Sequence, residues 1–177
     1  MRKKLIVLMC AGLIAGCGGS GGPEQPGAQV EDRTGTTVGG GEIKTVTTDK
    51  VGVGNFPELT DPKSILAKRS VFFDYDQFVI KDEFKPLVEA HARFLVGHPK
   101  MKMLIQGHAD ERGSREYNLA LGQKRAEALK KMLALLGAKE DQLESVSLGE
   151  EKPRCAEHAE SCWSQNRRDD MLYTGEF

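Results

Sequence analysis

From about Ser64 onwards, short apolar runs alternate with longer amphipathic stretches. The runs have strand length and occupy residues 69–74, 101–107, 145–148 and 171–173. Stretches with apolar residues at helical spacing separate the first three runs, and a short helix is predicted around residues 163–168. The order strand, helix, strand, helix, strand, strand predicts an α+β domain with helices on one face of a four-stranded sheet.

The first amphipathic stretch predicts a helix that ends near Gly97. Asp82 is its candidate N-cap, and Pro86 falls in the first turn, where proline is best tolerated. One apolar face runs along this helix and consists of Phe84, Leu87, Val88, His91, Phe94 and Leu95. We interpret His91 on that face as a hydrogen-bonded core histidine rather than a ligand.

The second stretch predicts a helix over residues 114–136, closed by Gly137. Gly122 falls inside it, and glycine favours a break or a new N-cap. In a straight helix, Arg125 would lie about three turns from the loop that contains Asp110. We therefore predict a bent helix that brings Arg125 close to the end of the second strand.

The N-terminal residues 1–16 have the pattern of an export signal. Basic residues precede an apolar run, 5–15, that is too short to span a bilayer. Ile14-Ala15-Gly16-Cys17 resembles the lipobox of bacterial lipoproteins, which makes Cys17 the expected lipidation site. Gly18, in place of an aspartate, favours the outer membrane. The alternative interpretation is an ordinary signal peptide with a chance cysteine.

Residues 17–60 are predicted to be a disordered tether between Cys17 and a folded domain over 61–177. Nine glycines fall between residues 18 and 41, and such a segment buries too little apolar surface to offset its ordering entropy. The whole chain is 29% charged with a net charge of −1. That balance gives no electrostatic basis for binding nucleic acid.

The candidate site lies in residues 107–125. A strand delivers Gly107-His108-Ala109-Asp110 to a sheet edge, and a charged loop then leads into a helix. Binding residues concentrate on loops held between rigid elements. From these residues alone two interpretations stay open: a binding site, or a loop cap at Asp110 and an internal salt bridge at Arg125. As a binding site, it is expected to lie outside the core.

A metal enzyme is the alternative of a different class. His108 and Asp110 form an H-x-D pair, but no further metal-ligand motif, nucleophile elbow or phosphate-binding loop accompanies it. We therefore predict no catalytic residue, no metal and no cofactor.

Motifs spread over residues 70–173 resemble the family of OmpA-like peptidoglycan-binding domains. They are Val71-Phe72-Phe73-Asp74-Tyr75-Asp76, Gly107-His108-Ala109-Asp110-Glu111-Arg112-Gly113, Tyr117-Asn118, Leu121-Gly122, Arg125-Ala126 and Asn166-Arg167-Arg168. The resemblance implies a two-layer fold with a mixed sheet. Asp169 and Asp170 depart from the family, in which apolar residues usually begin the last strand.

The resemblance implies that Asp110 and Arg125 bind the meso-diaminopimelate of the peptidoglycan stem peptide. The end of that side chain carries an ammonium and a carboxylate on one carbon, which an aspartate and a bidentate arginine match. Five weaker candidates follow from the same resemblance: Phe73, Asp74, Arg112, Asn118 and Leu121. We expect Arg112 to brace its loop. Asn166-Arg167-Arg168 either brace the last strand or touch the ligand, and we favour bracing.

The implied role is that of an outer-membrane lipoprotein with its domain in the periplasm, which anchors the membrane to the cell wall. Its implied partners are peptidoglycan, the membrane through the lipid, and periplasmic proteins of the Tol system such as TolB, in envelope integrity and cell division. The alternative is a lipoprotein module that binds only envelope proteins.

Cys155 and Cys162 are predicted to form a disulfide, because export places this pair in an oxidising compartment. Closing so short a loop contributes about 2–3 kcal/mol in the chain-entropy model. His158 lies between the cysteines, but two thiols and one histidine are an incomplete set of zinc ligands.

Overall fold

The computed structural model describes residues 52–177. The predicted export signal, Cys17 and the predicted tether up to residue 51 lie outside the described residues. Strands and α-helices follow one another in residues 52–177 as β1 (Ser70–Phe72), α1 (Lys85–Gly97), β2 (Met103–His108), α2 (Arg115–Leu135), β3 (Leu143–Gly149), α3 (Glu160–Asn166) and β4 (Arg168–Tyr173).

The strands of this region form one mixed sheet in the order β1-β4-β2-β3. β2 pairs with β3 in parallel, and β4 runs antiparallel to both β1 and β2. β1 and β2 therefore point the same way, and the loops that follow them meet at one edge of the sheet. The predicted α+β class with a mixed four-stranded sheet is confirmed. Within residues 52–177, no helix is long and apolar enough to cross a membrane.

One face of the sheet is buried beneath α1 and α2. Side chains alternate along each strand, and those that point to this face include Val71, Met103, Ile105, Met171 and Tyr173. His91 of α1 lies among them, with Nδ1 2.7 Å from the hydroxyl of Tyr173 and Nε2 2.8 Å from the carbonyl oxygen of Lys68. Burial lowers the pKa of His91 to about 4. His91 is thus a neutral core residue, as its place on the helix predicts.

Residues 52–60 pack against the domain. The backbone N–H of Val53 donates to the carbonyl of Thr174 at 3.2 Å, and Phe56 meets the ring of Phe94 edge-on with centroids 5.3 Å apart. Leu59 is buried. The packed region therefore begins upstream of residue 61. Composition does not predict this boundary, because only a few apolar side chains in residues 52–60 make the contacts with the domain.

The predicted N-cap of the first helix is wrong. Asp82 opens a short 3-10 turn, Asp82–Phe84, and α1 begins only at Lys85. The carboxylate of Asp82 pairs instead with Lys85 at 2.5 Å. Pro86 lies in the first turn of α1, as expected.

The predicted bend at Gly122 is also wrong, because α2 is continuous through it. The glycine serves close packing: a Cβ at Gly122 would lie 2.8 Å from the carbonyl oxygen of Gly107 in β2. A Cβ at Gly107 would in turn lie 2.7 Å from the carbonyl carbon of Gly122. The two glycines let the helix lie directly on the strand, and this carries Arg125 to the end of β2 without a bend.

The last strand begins at Arg168 and includes both aspartates that depart from the family pattern. Asp169 pairs with Val71 of β1 and with Gly107 of β2. Acidic residues therefore do not delay the start of β4.

Gly122→Ala should destabilise the protein by about 1–3 kcal/mol, because the added methyl group overpacks the contact with Gly107. Helix propensity alone would favour alanine by about 1 kcal/mol, so the sign of the change tests the packing argument. Urea denaturation measures it. Gly97→Ala is the matched control, since a Cβ at this helical position meets nothing within 4 Å. Equal stability of the two variants would contradict the close approach of helix and strand.

Candidate functional site

A groove of ≈210 Å³ opens at the sheet edge where the loops after β1 and β2 meet. Its walls come from these two loops, from the N-terminal half of α2 and from the residue before β4. The lining residues are Tyr75, Asp76, Asp110, Arg112, Gly113, Tyr117, Asn118, Leu121, Arg125 and Arg167. Arginines and aspartates therefore converge on a small space.

Asp110 is the anionic centre of the groove, and it is only 4% exposed. Arg112 donates to both of its carboxylate oxygens, from Nε at 3.2 Å and from Nη2 at 2.6 Å. Arg167 Nη1 donates a further bond at 3.1 Å. Burial acts to raise the pKa of Asp110, but the hydrogen bonds from Arg112 and Arg167 outweigh it and hold the pKa below its ordinary value. Asp110 is therefore a fixed, ionised carboxylate.

Arg125 is the cationic centre, and its side chain is fully buried. It donates to the backbone carbonyls of Gln77 at 2.7 Å, His108 at 2.7 Å and Asp74 at 3.1 Å. Burial lowers the pKa of Arg125 to about 10, so it remains charged at neutral pH. These carbonyls use three of the five N–H groups of a guanidinium, and Arg125 is part of the lining of the groove.

The expectation that the site lies outside the core is thus wrong for both of these residues. Asp110 and Arg125 are each enclosed by protein, and each is held by several hydrogen bonds. Their positions are fixed by the same packing that stabilises the domain.

Arg167 combines the bracing role predicted for it with a place in the groove. Its Nε donates to the carbonyl of Phe73 at 3.1 Å, and its Nη2 pairs with Glu160 at 2.5 Å. It also binds Asp110 and lines the groove. Its neighbour Arg168 only braces, by donating to Asp170 at 2.8 Å.

The structure brings most of the candidate binding residues together. Those that line the groove are Asp110, Arg112, Asn118, Leu121 and Arg125. Phe73 is instead buried, with the guanidinium of Arg125 5.1 Å from the centre of its ring. The carboxylate of Asp74 is exposed and pairs with Lys81 at 2.8 Å. Only the carbonyl of Asp74 serves the site.

Tyr75, Asp76 and Tyr117 line the groove but were not among the candidates, and Arg167, for which bracing was favoured over ligand contact, also lines it. The hydroxyl of Tyr117 donates to the carboxylate of Asp76, so these residues join the first loop to α2. A signal for Tyr75 and Asp76 was present, because the acidic turn 74–76 directly follows a strand. That signal indicates a place in the groove only once β1 and β2 are known to end at the same edge of the sheet.

Asp169 lies under the site as a buried carboxyl group. Neither of its oxygens has a hydrogen-bond partner within the described part of the chain. Burial raises the pKa of Asp169 well above its ordinary value, and the charge of Arg125 only partly opposes this. The opposite face of β4 carries Asp170, which is paired with Arg154 and Arg168, each at 2.8 Å.

His108 and Asp110 do not form a metal-binding pair. The imidazole Nε2 of His108 lies 3.6 Å from Asp170, whereas Asp110 binds Arg112 and Arg167. Burial, with Arg168 nearby, lowers the pKa of His108 to about 4. In residues 52–177, no group of three or more His, Cys, Asp and Glu residues is arranged to hold a metal ion.

Cys155 and Cys162 form a disulfide in this structure, with their Cα atoms 5.1 Å apart. The bridge closes a loop immediately before Trp163, beside the groove. His158 of this loop contacts Glu111 at 2.5 Å.

The fold is that of a known class of protein. A profile of the OmpA family matches residues 72–167. The chain is 33% identical to the peptidoglycan-associated lipoprotein of Legionella pneumophila, over 95% of this chain and 92% of that protein. It is 43% identical to the protein of the same name from Pasteurella multocida, over 59% of this chain and 69% of that one.

A solved structure agrees with these sequence matches. The crystal structure of the peptidoglycan-associated lipoprotein from Burkholderia pseudomallei is similar, with a TM-score of 0.65 and 54% identity. The match covers 66% of this chain and 98% of that one. The chain therefore belongs to the OmpA family, among the peptidoglycan-associated lipoproteins, and the resemblance drawn from its motifs is confirmed.

Asp169→Asn should stabilise the protein at neutral pH. Burial raises the folded-state pKa of Asp169 above the unfolded value of about 3.9. Its contribution to stability is therefore fully present below that unfolded value and is lost as pH rises through the folded pKa. Asparagine cannot ionise, so the variant should be more stable than the wild type at pH 7 and should have no advantage near pH 3.

Urea denaturation across this pH range tests the prediction. Asp170→Asn is the matched control on the opposite face of the same strand. It should destabilise the protein at neutral pH, because it removes the ion pairs with Arg154 and Arg168. Loss of stability in Asp169→Asn at every pH would mean that Asp169 is an ionised partner of Arg125.

Proposed function

We propose that this protein is a non-catalytic anchor that binds peptidoglycan non-covalently through the diaminopimelate of the stem peptide. The observation that carries the proposal is that a fixed anion, Asp110, and a fixed cation, Arg125, line one small groove. The free end of diaminopimelate presents an ammonium and a carboxylate on a single carbon. Its ammonium suits Asp110, and its carboxylate suits the arginine donors.

The rigidity of the groove supports this assignment. Backbone carbonyls hold Arg125, and Arg112 and Arg167 hold Asp110. A ligand therefore meets groups that are already ordered, and less conformational entropy is lost on binding. The names of three relatives, each a peptidoglycan-associated lipoprotein, support peptidoglycan as the partner.

The anchoring role requires a second attachment, which we assign to Cys17. Lipidation of Cys17 would hold the chain in the inner leaflet of the outer membrane, with the domain in the periplasm. The glycine-rich residues that follow Cys17 would then link lipid to domain. We further propose that the protein acts with Tol-system proteins such as TolB in envelope integrity and cell division.

A second candidate function is binding to envelope proteins alone. It is favoured by exposed apolar side chains beside the groove: Tyr75 is 58% exposed, Phe78 44% and Val79 65%. Exposed apolar residues grouped in this way are typical of protein contacts. Binding to isolated cell walls separates the two candidates.

Asp110→Asn and Arg125→Lys should each weaken binding to purified peptidoglycan sacculi by about tenfold or more. Each removes part of a charged hydrogen-bonded pair, which typically costs about 2–5 kcal/mol when the pair is buried, and about 1.4 kcal/mol corresponds to tenfold. Co-sedimentation with sacculi measures the loss. Thermal unfolding must accompany it, since Arg125 also holds three carbonyls.

Matched controls are Asp141→Asn and Lys131→Ala, both at exposed positions away from the groove. They should bind sacculi as the wild type does. If the folded Asp110 and Arg125 variants also bind as tightly as the wild type, the groove is not the peptidoglycan site. The protein-binding function then takes its place.

Cys17→Ser should abolish lipidation and leave the protein unprocessed or soluble, because the serine hydroxyl does not replace the thiol that carries the lipid. Mass spectrometry of the N-terminal peptide, with membrane fractionation, measures the outcome. Cys10→Ser, inside the predicted export signal, is the matched control and should leave processing unchanged. A wild-type protein cleaved at Cys17 without lipid would exclude the anchor.

A further inference from the structure

The disulfide links Cys155 to Cys162 in the first turn of α3, the helix that directly precedes Arg167 of the groove. The side chain of Asn166, at the end of α3, hydrogen-bonds to the backbone of Cys155 at the start of the loop that the disulfide closes. Its Oδ1 accepts from the backbone N–H of Cys155 at 3.1 Å, and its Nδ2 donates to the carbonyl of Cys155 at 2.7 Å. The disulfide and Asn166 thus fix both ends of α3 to residue 155.

Trp163, the residue after the disulfide, holds Arg112 in place. The guanidinium carbon of Arg112 lies 4.2 Å from the centroid of the Trp163 ring and 4.2 Å from that of Tyr75. Arg112 is therefore sandwiched between two aromatic rings. The indole N–H of Trp163 donates to Glu111 at 2.7 Å, which fixes the orientation of the ring.

Glu160, inside the disulfide loop, acts on the same arginines. One of its oxygens lies 2.5 Å from Nη2 of Arg167, and the other lies 3.4 Å from Nη2 of Arg112. Both arginines bind the carboxylate of Asp110. Trp163 and Glu160, both in the helix that the disulfide holds, therefore contact the arginines whose hydrogen bonds orient Asp110.

We propose that the disulfide loop, through Trp163 and Glu160, is a positioning element that sets the affinity of the groove for its ligand. The proposal deepens the function proposed above and rests on it. Arg112 is partly exposed and would sample many rotamers without the aromatic stack and the contact with Glu160. When the loop opens, Arg112 is no longer fixed beside Asp110, and the ligand must order it again on binding.

The chain offers a direct optical probe of this element, because Trp163 is its single tryptophan. The fluorescence of Trp163 reports whether the ring is stacked on Arg112. The experiment titrates the purified full-length chain in detergent with a muropeptide that ends in meso-diaminopimelate. Oxidised protein is compared with protein that has been reduced and alkylated, and with the double variant Cys155→Ser, Cys162→Ser.

Opening the loop should weaken muropeptide binding about fivefold and shift the tryptophan emission to longer wavelength, while circular dichroism shows an intact fold. Two variants that keep the disulfide test the stacking of Trp163 on Arg112 directly. They decide whether the proposal holds if the cysteine variant does not fold. Trp163→Ala removes the ring and should weaken binding to a similar degree. Trp163→Phe retains a ring over Arg112 and should restore most of the affinity.

The outcomes separate this proposal from the one on which it rests. If Asp110→Asn lowers affinity but loop opening and Trp163→Ala leave it unchanged, the groove assignment stands and the positioning role is overturned. Equal affinity in Trp163→Ala and Trp163→Phe also overturns it. If the oxidised wild type does not bind the muropeptide, both proposals fail.

Discussion

The buried guanidinium of Arg125 connects the candidate site to the core of the fold. An uncompensated charge in the interior is strongly unfavourable, and Arg125 avoids that state by donating to three backbone carbonyls. Two of these carbonyls lie in the loop after β1 and the third lies at the end of β2, so one side chain fixes both loops. The arrangement depends on the glycines at 107 and 122, since their contact lets α2 lie directly on β2.

The same loops hold the anionic side of the groove. Arg167 donates to the carbonyl of Phe73 and to the carboxylate of Asp110, which links the end of β1 to the loop after β2. Arg112 extends the network outwards, to Tyr75 and to Trp163 beyond the disulfide. Anion and cation are therefore positioned by one connected set of hydrogen bonds, whose members reinforce one another in a partly buried setting.

Regular periodicity made the fold class and most element positions predictable, because strand and helix spacing follow from local sequence. Contacts between residues that are distant in the sequence could not be predicted from this local periodicity. Gly122 has the same local pattern whether it breaks a helix or faces a second glycine, and only the position of Gly107 decides between the two. Arg167 lies 57 residues from Asp110 in the chain, so its place in the groove had no local signal. For Asp110 and Arg125, the local pattern left a binding site and a structural role both open, and the family motifs favoured the binding site.

The charges of the groove suit the zwitterion that we propose as its ligand. Asp110 shares its charge with Arg112 and Arg167. Arg125 hydrogen-bonds only to carbonyls in the described part of the chain, and burial favours the neutral form of Asp169, the carboxyl that acts on it most strongly. Burial of Asp169 therefore reduces the negative charge that competes with a ligand carboxylate for Arg125. Under the proposed function, an ammonium on the same carbon as that carboxylate would then face Asp110.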